Sequence, residues 1–192
     1  MPISRPDRFA ARFEAVRGIV HRVSGWNSAA ECVARICADE GAGCVALGTL
    51  PSEFLTSFER TASGIPTILR PPYAFDSLPG AIDNAEIGIA AADFAIAETG
   101  TLVEIALDDA LRLVSSLPRT YVGIVPSSAF VDTLSEAAPL IRTAYAGNPT
   151  NCVVSFISGP SRTGDIEMIL TLGVHGPEIA HAVIVDDVAN AT

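Results

Sequence analysis

Gly41-Ala42-Gly43-Cys44-Val45-Ala46-Leu47, then Pro51-Ser52-Glu53-Phe54-Leu55-Thr56-Ser57-Phe58, then Thr67-Ile68-Leu69, is the stretch on which the fold turns. Cys44–Leu47 is short, apolar and bounded by glycine, which reads as a buried strand. Pro51 suits the opening of a helix that carries Phe54, Leu55 and Phe58. Thr67-Ile68-Leu69 supplies a second strand. Strand, helix and strand in succession point to an α/β protein.

Working outward, the same alternation continues. Upstream, Pro6 suits an early helical turn, and Phe9, Phe13, Val16 and Val20 fall on one helical stripe that Gly25-Trp26-Asn27 breaks. Ser28 then caps a second helix, with Ala29, Cys32, Val33, Ile36 and Cys37 on its apolar face, ended by Gly41 and Gly43. Downstream come strands over residues 86–91, 94–97 and 101–106, the last two flanking a tight turn at Glu98-Thr99-Gly100. Asp108-Asp109 precede a short helix through Leu111, Leu113 and Val114, which Pro118 ends. After a strand over 121–125, Ser127 or Ser128 caps a helix with Val131, Leu134 and Ala138 inward, and Pro139 kinks or stops it. Val153–Ile157 is the clearest buried strand. The loop from Ser158 to Gly164 leads into a helix with Ile166, Ile169 and Leu170 inward, and residues 182–185 form the last strand. The expected fold is α/β: a mainly parallel open sheet with flanking helices and a local hairpin, one domain overall, with residues 1–42 a helical segment packed on residues 43–192.

The 192 residues are 49% hydrophobic and only 18% charged, which excludes a disordered chain. All 12 basic residues are arginine, so Schiff-base chemistry and a phosphate-loop lysine are excluded. A net charge of −10 argues against nucleic acid, while single arginines can still bind one small anion. No apolar run is long enough to span a bilayer, and Arg5, Arg8, Arg12 and Arg17 interrupt the start, so a cytoplasmic location is expected. Cys32, Cys37, Cys44 and Cys152 lack metal-site or cluster spacing and suit reduced, buried thiols. No dinucleotide fingerprint, Walker sequence, nucleophile elbow or zinc helix occurs, so no redox cofactor or metal is expected in this chain.

Three stretches can carry chemistry. In the Ser158–Gly164 loop, open N–H groups at the expected helix start, with the hydroxyls of Ser161 and Thr163 and the planar fork of Arg162, suit a carboxylate or phosphate. Ser158, Gly159, Ser161, Arg162, Thr163 and Gly164 are therefore the candidate anion-binding residues; the alternative is a helix cap with Arg162 paired to Asp165 or Glu167. His175, in Gly173-Val174-His175-Gly176-Pro177, is a candidate acid, base or metal ligand, or a helix C-terminal histidine at a glycine turn. Glu98 is a candidate base or nucleophile, or a residue that satisfies its turn. His181 and His21 read as structural.

The run Ile157-Ser158-Gly159-Pro160-Ser161-Arg162-Thr163-Gly164-Asp165-Ile166-Glu167, followed by Gly173-Val174-His175-Gly176-Pro177, closely resembles the LUD-domain proteins, the lactate-utilisation protein C (LutC/YkgG) family. Ala97-Glu98-Thr99-Gly100-Thr101 and Ser116-Leu117-Pro118 resemble that family's middle motifs, and the resemblance runs from about Gly43 to the C-terminus. It implies a fold like the NagB/RpiA/CoA-transferase group and a role in oxidising L-lactate to pyruvate, as a subunit of a complex whose iron–sulfur clusters sit in partner proteins. Gly159, Ser161, Arg162, Thr163, Asp165, Glu167, His175 and Gly176 are the matching motif positions. The alternatives are a stand-alone binder or transferase for a CoA-linked or phosphorylated metabolite, in which Glu98 becomes the interesting carboxylate, and a non-catalytic scaffold.

Overall fold

The computed structural model describes residues 3–164, 170–172 and 176–186. In chain order the elements are α1 (Arg5–Ala15), β1 (Ile19–Ser24), α2 (Gly25–Asp39), β2 (Cys44–Leu47), α3 (Ser52–Thr61), β3 (Thr67–Leu69), α4 (Gly80–Asp83), β4 (Ile87–Ala91), β5 (Phe94–Ile96) and β6 (Thr101–Ala106). They continue with α5 (Asp109–Val114), β7 (Thr120–Pro126), β8 (Phe130–Val131), α6 (Leu134–Gly147), β9 (Val153–Ile157), β10 (Arg162–Gly164), β11 (Leu170–Leu172) and β12 (Ile179–Asp186).

Six strands form one wholly parallel sheet in the order β1-β12-β7-β4-β2-β3. The expected α/β class and parallel sheet are therefore what the chain adopts. Strand alternation sends Val45 and Leu47 of β2, with Val183 and Val185 of β12, to the face covered by Val33, Ile36, Phe54 and Phe58 of α2 and α3. Ala46, Ala182 and Ile184 point the other way, against Phe9 and Phe13 of α1. The two phenyl rings stack at 5.3 Å and Phe9 meets Phe130 edge-on at 5.4 Å. Burying each such ring contributes about 2–3 kcal/mol.

A second sheet, in the order β8-β5-β6-β9, lies on this latter face and is covered on its outer side by α6 through Phe94, Ile96, Val103 and Ala137. Its centre is the hairpin expected around Glu98-Thr99-Gly100.

Several local expectations are corrected. The first helix ends at Ala15, where Arg17 takes a positive φ and the Gly18 N–H bonds back to the Phe13 carbonyl at 2.9 Å. Val20 lies instead on β1, beside β12; its spacing from Val16 mimics a helical stripe. Gly25-Trp26-Asn27 opens α2 rather than breaking a helix, so Ser28 is not its cap. Residues 127–131 are a single 3-10 turn and strand β8. The true cap of α6 is Thr133, whose hydroxyl accepts the Glu136 N–H at 3.2 Å, and Leu134 is exposed rather than inward. Pro139 sits inside α6 and forfeits one bond without ending it. β9 is half-buried, not a core strand: it is the edge of the second sheet, and Phe156 is 50% exposed. Cys32 and Cys37 are buried, with burial pushing the Cys37 thiol up to about 12, but Cys44 and Cys152 are only partly covered.

Candidate functional site

The stretch after the Ser158 loop departs most from expectation. Arg162–Gly164 is strand β10, paired antiparallel with β11 so that Thr163 lies opposite Thr171 and Gly164 opposite Leu170. Leu170 belongs to a two-stranded ribbon and not to a helix beginning after Gly164; the apolar spacing read as helical also carries the period-two pattern of Leu170-Thr171-Leu172. Among the described residues the loop runs into a strand, so the N–H groups of Arg162–Gly164 lie on a strand and not in a helical turn. Asp165, Ile166, Glu167, Ile169, Gly173, Val174 and His175 lie outside the described residues.

What the structure does bring together is the set of motif segments. The Thr101 hydroxyl lies 2.7 Å from that of Ser158, and the Thr99 hydroxyl 2.7 Å from that of Thr101. The Ser161 N–H donates to the Pro177 carbonyl at 2.8 Å, and a Cβ on Gly176 would sit 3.3 Å from that of Ser161. So the 98–101 turn, the 158–162 loop and the 176–177 segment touch one another in sequence order.

Helix α1 lies along this cluster. Gly100, at φ +64°, leaves no room for a Cβ, which would come within 2.6 Å of the Phe13 backbone nitrogen and of the Arg12 Cβ. Gly159, at φ +92°, is pressed on Val16 at the end of the same helix. Both positions need glycine for conformation and for space. Arg5 and Arg8 reach Asp132, whose carbonyl accepts the Glu98 N–H at 3.0 Å. The Glu98 side chain is exposed, and its Oε1 accepts the Leu134 N–H at 2.7 Å, putting a carboxylate on the first turn of α6. Ser158 and Arg162 are exposed and Ser161 is half-buried.

A second locality escaped the sequence reading. Chain crossovers leave β2 toward β3 and β4 toward β7, in opposite directions across the sheet. Ligands of open α/β sheets bind beyond the carboxyl ends of strands at such a divergence. A cleft of about 320 Å³ lies there, walled by Gly48, Thr49, Ala90–Ala92, Ile105–Leu107 and Leu111, with Asp93 and Glu104 as its ionisable groups. The approach is close, since a Cβ on Gly48 would fall 2.9 Å from that of Ala90.

Glu104 is only 6% exposed, and its Oε1 accepts the hydroxyl proton of fully buried Tyr121 at 2.5 Å. Burial pushes the Glu104 carboxyl above the usual range, partly offset by the Tyr121 and Ser115 hydroxyls, with nearby Asp93 adding to the rise. Burial also raises the Tyr121 phenol, and the Glu104 charge raises it further. Asp93 remains exposed as a residue but turns its Oδ2 to the Ile105 N–H at 2.7 Å; desolvation of that carboxyl raises it. An acidic residue inside an otherwise apolar strand, Glu104 in Leu102-Val103-Glu104-Ile105, was the signal available for this site.

His21 and His181 read as structural and form a stacked pair, with His21 Nε2 3.0 Å from His181 Nδ1. His181 is buried and its Nε2 has no hydrogen-bond partner among the described residues. Desolvation, then the neighbouring His21, pushes its pKa down to about 4. Among the described residues no group of three or more His, Cys, Asp or Glu could hold a metal ion, and no helix is long and apolar enough to cross a membrane.

Fold and motifs together define a class: residues 6–185 match the LUD domain, and the chain belongs to the LUD-domain family. Among particular relatives, lactate utilization protein C of Bacillus subtilis (strain 168) is 41% identical over 107 residues, 55% of this chain and 44% of that protein. Lactate utilization protein C of Anoxybacillus flavithermus is 38% identical over 120 residues, 60% of this chain and 53% of that protein. The chain thus spans about half the length of the curated relatives it matches. The crystal structure of a DUF162 family protein from Deinococcus radiodurans shares the fold, with a TM-score of 0.68 over 96% of this chain and 99% of that one at 22% identity.

Proposed function

We propose that this chain serves lactate utilisation, holding a small carboxylate or phosphate where the motif segments meet and working beside iron–sulfur proteins that carry the electrons. The observation that carries this reading is the contact between segments far apart in sequence: Thr101 with Ser158, and Ser161 with Pro177. In it, Arg162 supplies the positive charge, and Ser158, Gly159, Ser161, Thr163 and Gly164 frame the anion through hydroxyl and N–H donors. Glu98 and His175 are the acid–base candidates, and no redox cofactor is assigned to this chain. Relatives named lactate utilization protein C support the choice of substrate class.

The test is a thermal-shift series with L-lactate, pyruvate, phosphate and CoA on the wild type and on Arg162→Ala. A ligand at roughly 100 times its Kd stabilises by about 2.7 kcal/mol. For a domain of this size that raises Tm by about 5–10 °C. A shift with lactate or pyruvate that Arg162→Ala abolishes is the expected outcome. A shift with CoA alone, or with no member of the series, overturns the reading.

A further inference from the structure

The cleft at the diverging strands is separate from the motif cluster: β6 begins beside Ser158 at Thr101 and reaches the cleft only at Glu104. We propose that this cleft binds a small organic cation, an amine or ammonium compound with a short apolar body, whose charged head is held by Glu104 and Asp93.

Shape supports a small molecule. About 320 Å³ lies at the lower end of the range for metabolite sites, and the walls are mainly alanine, isoleucine and leucine side chains that suit an apolar body. Position supports it as well, because the cleft lies beyond the carboxyl ends of β2 and β4, where their crossovers part.

Charge selects the class. Among the described residues the cleft's lining contains two carboxyl groups and no arginine or histidine, so a carboxylate ligand would meet like charge without a counter-ion. A carboxylate held in an apolar site is costly unless it is paired. The neutral hydroxyls of Tyr121, at 2.5 Å, and of Ser115 use part of the Glu104 carboxylate's accepting capacity without neutralising it, and Glu104 also faces the cleft. An ammonium head, with its N–H donors and positive charge, supplies the counter-charge that the lining lacks. Asp93, anchored by Ile105 at 2.7 Å, holds the second carboxylate on the same rim.

Amide NMR titration with n-butylammonium, n-butanol and butyrate tests this, because the three probes share a body and differ in head-group charge. The expected result is saturable movement of the Gly48, Ala91, Asp93 and Ile105 amides with n-butylammonium and at least tenfold weaker binding of the other two. Glu104→Gln keeps an acceptor for Tyr121, and Asp93→Asn keeps one for Ile105; each is expected to weaken n-butylammonium at least tenfold while the remaining spectrum stays folded. Two independent variants guard against one that fails to fold. Equal response to butyrate, no saturable movement with n-butylammonium, or undiminished binding in folded variants overturns the proposal.

Discussion

The two ends of β6 have different chemistry. At its start, Thr101 joins a chain of hydroxyls, pinned by glycines against α1 and open to solvent at Thr99 and Ser158. Toward its end, Glu104 is sealed beside Tyr121 in an acidic, alanine-walled cleft. The first end is specified by backbone conformation, the second by desolvation. A mutation that breaks the first should therefore cost stability, whereas one that alters charge at the second should chiefly cost binding.

The largest effect is expected for Gly100→Ala, which must place a Cβ against the Phe13 backbone at a positive φ. Overpacking and left-handed strain together cost roughly 4 kcal/mol, read as a fall in the urea midpoint. A loss below about 1 kcal/mol would mean that α1 does not clamp the turn.

Acid brings in the sheet's other face. His181 stays neutral in the fold down to about 4, against 6.5 in the unfolded chain, so only the unfolded state takes up the proton between those values. Stability is then fully present above pH 6.5 and falls by about 3 kcal/mol as the pH drops to 4. Glu104 and Asp93, raised in the fold, act with the opposite sign. The histidine contribution is therefore isolated as the difference in pH slope between wild type and His181→Leu.

Tyr121→Phe removes the hydroxyl that donates to Glu104 Oε1 and leaves a buried carboxyl short of a partner. A loss of about 2 kcal/mol is expected by denaturant titration, shrinking at low pH where Glu104 is neutral. The smallest effect belongs to Glu98→Ala, which takes a carboxylate off the Leu134 N–H for about 1 kcal/mol. If ligand affinity at the motif cluster falls far more than this, Glu98 serves a ligand in addition to α6.

How much of this was legible depends on distance along the chain. The βαβ unit at Cys44–Leu47, α3 and β3, and the Glu98-Thr99-Gly100 hairpin are written locally, in glycine placement and short apolar runs. The α6 cap was also written locally, as Thr133 followed three residues later by Glu136, a capping-box sequence in which Thr133 caps the helix while the Glu136 carboxylate accepts the Asp132 N–H, one residue earlier than the motif's usual partner. The position of β9 was not local: Val153–Ile157 has the composition of a core strand, and only pairing with β6 alone makes it an edge. The cleft was least legible, because its lining comes from the loop after β2, the end of β4 and the end of β6. Nothing in the spacing of Gly48, Asp93 and Glu104 announces that two crossovers, one after β2 and one between β4 and β7, deliver them to one place.

One pairing has a consequence in time. β12, the last of the described strands, lies inside the parallel sheet, between β1, the first of them, and β7. During synthesis β1 therefore has no strand neighbour until residues 179–186 have left the ribosome, and the slot for Ala180, Ala182 and Ile184 stays open until then. Such long-range closure folds slowly and exposes unpaired strand edges on the way. The nascent protein should depend most on protection in the interval just before β12 emerges.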